Sequence, residues 1–232
     1  MGLGGVSVAS DYPEVSRDEL ERILNSLKKR FKNGNYPNYK ERIDRINRLK
    51  LLVEENSEDF HKALQNDFGT RHEQLSLLSD TLPIIASAKH ISKNLSKWMK
   101  PEKRKPNFPL GLLGAKAFIH NQPYGVVGII SPWNFPLNLS LGPLAEVFAA
   151  GNNAMMKLSE FVPETSDLTE KLVKEYFNDD EVAVINGGPQ TSQSFAGLAF
   201  DHLLFTGSTH IAKKIAYEAS ENLVPLTLEL GG

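Results

Sequence analysis

Asn134 stands in "PWNFP", held between Pro132 and Pro136. Proline locks φ and removes a backbone donor, so a side chain between two prolines is aimed reproducibly. An amide aimed in this way suits the stabilisation of a developing oxyanion. It equally suits capping of the helix that follows, since Asn is a preferred cap. In "NAMMKLSE" Lys157 is followed three residues later by Glu160. A cation and a carboxylate at a strand end can hydrogen-bond the hydroxyls of a ribose, as an acidic residue does in dinucleotide sites; an isolated pair of this kind is otherwise solvated surface charge. "HLLFTGSTHIAKKI" passes from an apolar run through Thr206, Gly207 and Ser208 into helical spacing. Glycine permits close backbone approach and a helix start offers unpaired N–H groups, together an anion site fit for a pyrophosphate. The plainer reading is an ordinary helix start. Finally, "PLTLELGG" sets Glu229 in an apolar run. Apolar surroundings raise a carboxyl pKa and make it a more useful base near neutrality, whereas a strand-end acid facing solvent would do neither.

These stretches need a scaffold, and the order of elements supplies one. From about Ser16 to Lys100 apolar residues recur at helical spacing: Leu20, Ile23, Leu24 and Leu27, then Ile43, Ile46, Leu49, Leu52 and Val53 with Lys, Arg and Glu on the opposite face. "SEDFHKALQNDFG" reads as a third helix stopped by Gly69. "TRHE" opens a fourth with a Thr70-to-Glu73 capping pattern, and Pro83 is placed to bend it. "KPEKRKPNFPLGLLG" is a connector, followed by a strand and turn in "AKAFIHNQPYG". Then "VVGIIS", "NAMMKLS", "VAVINGG", "HLLFTGS" and "VPLTLEL" are β-prone runs, the first four each followed by a helix-length stretch. Strands alternating with helices predict a doubly wound parallel α/β sheet, covered on both faces. The expected organisation is a mobile leader over 1–15, a helical part over 16–105 and a Rossmann-type part over 106–232.

With 23% charged residues and a net charge of −2, nothing implies attraction to nucleic acid or acidic membranes, so small-molecule partners are expected. The absence of cysteine excludes a disulfide framework, a thiolate metal site and a cysteine nucleophile within these residues. The six histidines are scattered without ligand spacing, and no metal site is expected. "DFG" at Asp67 to Gly69 lacks every companion of a kinase and reads as a helix end. No membrane-length apolar run or signal peptide is seen, which makes a soluble cytoplasmic protein the expectation.

Taken in order, "PWNFP", "AAGNNAMMKLSE", "FDHLLFTGS" and "PLTLELGG" resemble the aldehyde dehydrogenase superfamily. "GVVGIISPWNFPLNLSLGPLAEVFAAGN" and "FDHLLFTGSTHIAKKI" are most similar to its class 3 and coniferyl aldehyde dehydrogenase branch. The resemblance implies N-terminal helices and a modified Rossmann domain binding NAD or NADP, a hairpin arm used in homodimer contacts, and a separate catalytic domain following. It makes Asn134 the oxyanion donor and Glu229 the base that activates the hydrolytic water. It assigns Lys157 and Glu160 to the adenine ribose and Thr206, Gly207 and Ser208 to the pyrophosphate turn. Ile130, Ser131, Pro132 and Trp133 would line the cofactor cleft. The family reaction begins with attack of a cysteine thiolate on an aldehyde to give a thiohemiacetal. Hydride passes to the nicotinamide, and water cleaves the resulting thioester to a carboxylic acid.

The chain departs from the family pattern at three points. Leu158 replaces a proline usual after the lysine, and His210 follows the pyrophosphate turn where small residues are common. The third is the cysteine, which in the family lies a few dozen residues beyond the "ELGG" glutamate. The expectation is therefore an N-terminal portion of such an enzyme, inactive by itself, with a medium-chain or aromatic aldehyde as the family substrate. The alternative is a truncated nucleotide-binding or interaction module. An unrelated Rossmann oxidoreductase is disfavoured because Gly-x-Gly-x-x-Gly is absent.

Overall fold

The computed structural model describes residues 12–231. Helix α1 (Arg17–Lys28) starts at Ser16, whose hydroxyl accepts from Glu19 N, and buries Leu20, Leu24 and Leu27. Asn38 and Glu41 form a reciprocal capping box at the start of α2 (Tyr39–Glu55). Helix α3 (Ser57–Phe68) ends at Gly69 with φ +70°. The Thr70 capping pattern is not formed. Short α4 (Glu73–Ser76) starts two residues later, after His72, without a side-chain cap, and Arg71 before it is buried. A π turn over Leu77–Thr81 leads into α5 (Leu82–Trp98). Pro83 cannot donate to the Ser79 carbonyl, and beside it Leu82 N reaches back five residues to Leu77 O.

The expected connector contains a short strand, β1 (Glu102–Arg104), which pairs antiparallel with β2 (Ala117–Ile119) as a projecting arm. Five parallel strands follow: β3 (Val126–Ile130), β4 (Asn153–Lys157), β5 (Val182–Ile185), β6 (His202–Gly207) and β7 (Leu226–Leu230). Between them lie α6 (Asn138–Ala150), α7 (Pro163–Tyr176), α8 (Pro189–Ala196) and α9 (Thr209–Ser220). The sheet order is β5-β4-β3-β6-β7, so the winding reverses between β3 and β6.

Alternation along the strands divides the core into two layers. Val127, Ile129, Ala154 and Met156 pack against α2, α3, α5, α6 and α7. Val126, Ile130, Met155 and Phe205 point the other way, toward α1, α8 and α9. The N-terminal helices are thus built into the covering layers of the sheet. Of the leader expected to be mobile, residues 1–11 lie outside the described residues. Residues 12–15 are held: Tyr12 Oη donates to Pro163 O and Asp167 Oδ1, and Val15 N donates to Thr191 Oγ1.

The charged face assigned to α2 needs correction, because Arg42 and Arg45 are buried. Arg45 Nε donates to Glu181 Oε1 at 2.9 Å, and its Nη1 to Asn152 O and Asn153 Oδ1. Arg48 adds two bonds to the same carboxylate, each 2.8 Å. Asn153 in turn donates to Leu27 O and Asp180 O. A helical repeat cannot reveal this, since it reports sidedness and not the acid waiting at the amino end of a strand.

Burial alone would push the Glu181 carboxyl up. Hydrogen bonds from Arg48 and Asn178 N, with the charges of Arg45 and Arg48, outweigh it and hold the pKa at about 2. A depressed carboxyl stabilises the fold above its ordinary value, and this is lost as pH falls through the folded value. Urea unfolding should lose roughly 3 kcal/mol from this group between the ordinary carboxylate range and pH about 2. Glu181→Gln should flatten that part of the profile. Glu181→Ala, which strands two guanidinium groups, should cost about 3–5 kcal/mol at neutral pH.

Candidate functional site

In a doubly wound sheet the crevice opens beyond the carboxyl ends of the strands where the winding reverses. Here the loops after β3 and β6 diverge, and a cleft of about 980 Å³ lies there. Ile130, Ser131, Pro132, Trp133, Lys157, Glu160, Thr206, Gly207 and Ser208 all line it. Asn134 and Glu229 do not.

Lys157 is 1% exposed, which removes the reading of its pair with Glu160 as solvated surface. Its Nζ donates to Leu158 O and lies 3.6 Å from Glu160 Oε2. Burial pulls the Lys157 pKa down, while Glu160 and Glu14 draw it back up. Leu158, in the place of a proline, donates its N–H to Ile185 O at 3.3 Å and ties this strand end to β5. Among the described residues the Ser131 hydroxyl, buried at the end of β3, has no hydrogen-bond partner. An orphaned hydroxyl facing a cleft is a ready ligand contact.

Ser208 caps α9, its hydroxyl accepting from Ile211 N, which leaves the N–H groups of Thr209 and His210 directed out of the helix start. A Cβ on Gly207 would lie 2.5 Å from the Phe205 ring, so only glycine keeps this turn low beside the helix start. His210, Lys213, Lys214 and Tyr217 extend the wall along one stripe of α9. Their helical spacing is the sequence signal that would have found them. Gln193 on α8 and Phe161 after β4 carry no such pattern. The donors, the buried Lys157 with its Glu160 partner and the anion-ready helix start fit a dinucleotide. Among the described residues no cluster of three metal-ligating side chains forms.

Asn134 is exposed, and its side chain bonds no other described residue. It does not cap α6. That cap comes from Asp80 in the π turn, whose Oδ1 accepts from Leu137 N at 3.2 Å and Asn138 N at 3.4 Å. Asp80 also pairs with Arg71, and Arg71 Nη1 donates to the Asn134 carbonyl at 2.7 Å. The Arg71 guanidinium lies over the rings of Phe68 at 4.6 Å and Phe135 at 5.2 Å. Burial raises the Asp80 pKa against the opposing pull of Arg71 and the two amides. The two prolines stiffen the segment; this ion pair, 63 and 57 residues distant along the chain, holds it in place. No spacing rule links Arg71 and Asp80 to Asn134, so they escape a sequence reading.

Glu229 is the penultimate residue of β7, in register with Thr206 and exposed on the face away from α9. The apolar surroundings expected to make it a stronger base are therefore not provided by the described residues. On the same face His202 stacks on Tyr124 and bonds Thr227 Oγ1 at 2.9 Å.

The model of the aldehyde dehydrogenase family matches residues 6–232. A probable coniferyl aldehyde dehydrogenase of Caulobacter vibrioides is 49% identical over 223 residues, covering 94% of this chain and 46% of the relative. The coniferyl aldehyde dehydrogenase of a Pseudomonas species is 42% identical over 232 residues, again 46% of its length. The substrate-bound aldehyde dehydrogenase AldH of Staphylococcus aureus superposes with a TM-score of 0.86 at 32% identity, covering 92% of this chain and 46% of that one. An NAD+ complex of a Mycobacterium tuberculosis aldehyde dehydrogenase superposes with a TM-score of 0.80 at 24% identity, a likeness of fold. The chain spans about half the length of the curated relatives it matches.

Replacing Asp80 by Ala should strand buried Arg71 and destabilise the chain by about 3–5 kcal/mol in urea unfolding. The Arg71→Met, Asp80→Leu double variant should recover much of that loss. A double-mutant cycle should return a coupling of at least about 1 kcal/mol.

Proposed function

We propose that this chain, which belongs to the aldehyde dehydrogenase family, provides the nicotinamide-cofactor site, the oxyanion donor and the water-activating base of an enzyme that oxidises an aldehyde to a carboxylic acid. The observation that carries the reading is the cleft at the winding reversal, lined by buried Lys157 paired with partly exposed Glu160, a Ser131 hydroxyl unpartnered among the described residues and the open start of α9. NAD or NADP would supply the hydride acceptor. Lys157 and Glu160 would hold the ribose, and the Gly207 turn with the α9 N–H groups would hold the pyrophosphate. The Glu160 carboxylate beside the ribose disfavours a further phosphate there, so NAD is the favoured form.

Asn134 has a free amide on a segment clamped by Arg71, the preorganisation that oxyanion stabilisation requires. Glu229 would accept a proton from the water that cleaves the acyl intermediate. Aromatic or medium-chain aldehydes are the proposed substrates, in line with the coniferyl aldehyde dehydrogenases that it resembles. The arm, with Phe108, Leu112 and Leu113 exposed, is the proposed contact between two copies. The nucleophile is a cysteine in the family, and these 232 residues hold none.

Calorimetric titration of the chain should detect NAD at millimolar concentration, with NADP weaker. Lys157→Met should weaken NAD by at least about tenfold, the loss of one charge-assisted bond. The chain alone should produce no NADH from any aldehyde. Absence of binding by the unaltered chain would overturn the cofactor assignment, and steady NADH production would overturn the reading that these residues lack the nucleophile.

A further inference from the structure

Helix α8 has eight residues, too few for appreciable stability of its own. It begins after Gly188, a cap position with no side chain to offer. The cap arrives from the segment before α1. Glu14 Oε2 accepts from Thr191 N at 2.6 Å and Oε1 from Gln190 N at 3.3 Å. The buried Thr191 hydroxyl donates to the same carboxylate and accepts from Val15 N at 2.8 Å. A Cβ at Gly188 would lie 2.4 Å from Glu14 Oε1. The glycine that cannot cap the helix is thus the one that lets the foreign cap approach.

At the other end Arg17 Nη2 donates to the carbonyl of Gly197, the residue closing α8, at 3.2 Å, beside Asn222 Nδ2 at 3.0 Å. A carboxylate at the helix start and a guanidinium at its end both match the helix dipole. Two residues three apart in sequence therefore clamp α8 end to end. Between the clamps α8 presents Pro189, Ser192, Gln193 and Ala196 to the cleft. Gln193 Nε2 donates to Glu218 on α9 at 2.8 Å, so the seat of α8 is passed on to the opposite wall.

We propose that Glu14 and Arg17 are positioning residues for cofactor binding, which hold α8, and through Gln193 and Glu218 also α9, at the separation the cleft requires. Neither lines the cleft, and both act through α8. The proposal rests on the cofactor reading of the cleft given above.

Amide hydrogen exchange and calorimetric titration with NAD, on the unaltered chain and on Glu14→Ala, Glu14→Gln and Arg17→Ala, test it together. In Glu14→Ala the Gln190 and Thr191 amides should lose about tenfold of protection while β3 and β4 keep theirs. The NAD Kd should rise about five- to tenfold in Glu14→Ala and Arg17→Ala with Tm nearly unmoved, a readout that general loosening would not produce. Glu14→Gln should fall between, because its amide oxygen still accepts. Unchanged exchange in α8 overturns the proposal whether or not NAD binds. Faster exchange with an unchanged Kd, or a uniform loss of protection with a lowered Tm, also overturns it. An unaltered chain that binds no NAD overturns the cofactor reading, and with it the role in binding, while the exchange data still report on the clamp.

Discussion

Five strands running the same way impose the constraint on which the rest of this structure depends. Parallel neighbours need long crossovers, and the crossovers are helices that must lie on the faces of the sheet. All carboxyl ends consequently come to one side, and the reversal of winding between β3 and β6 parts the loops there. The cleft is a product of this topology before any side chain is considered. Lys157, Ser131 and Thr206 reach it because they end strands, and α9 reaches it because it starts at the end of β6.

Buried charge fastens the helices to this sheet at both ends of the strands. At the amino ends Arg45 and Arg48 converge on Glu181, and Asn153 extends the network to α1. At the carboxyl ends Arg71 and Asp80 grip the Asn134 segment and the start of α6. Desolvation makes such pairs poor sources of net stability, but a guanidinium with its fixed fork of donors has few satisfactory orientations. Their contribution here is geometric: they fix where α2 and the Asn134 loop sit. The backbone of Asn134 is held through its carbonyl while its side-chain amide stays exposed.

Much of the scaffold was legible. Period-3.6 patterns mark the helices because their burial is one-sided, and short apolar β-prone runs mark strands covered on both faces; the five runs became the five strands of the sheet. The cleft-lining positions were legible as strand ends. What escaped were contacts between distant residues. Arg45 looked like part of a charged outer face, Thr70 like a cap and Glu14 like part of a mobile leader, while Arg71, Asp80 and Arg17 carried no signal. Each depends on a partner on another element, and nothing in its own neighbourhood records that partner.

The sequence by itself determined the alternation of strand and helix, the family, and the types of side chain that end each strand, because these follow from local pattern and ordered motifs. Only the tertiary structure decided which of those side chains share a space. It buried Lys157 beside Glu160, left the Ser131 hydroxyl unpaired in the cleft, and set Glu229 on an open face. It also gave the capping of α6 to Asp80 and that of α8 to Glu14. The physical reason is the same in each case. Desolvation and hydrogen-bond satisfaction are properties of a place in the packed molecule, and that place exists only once the sheet has brought distant segments together.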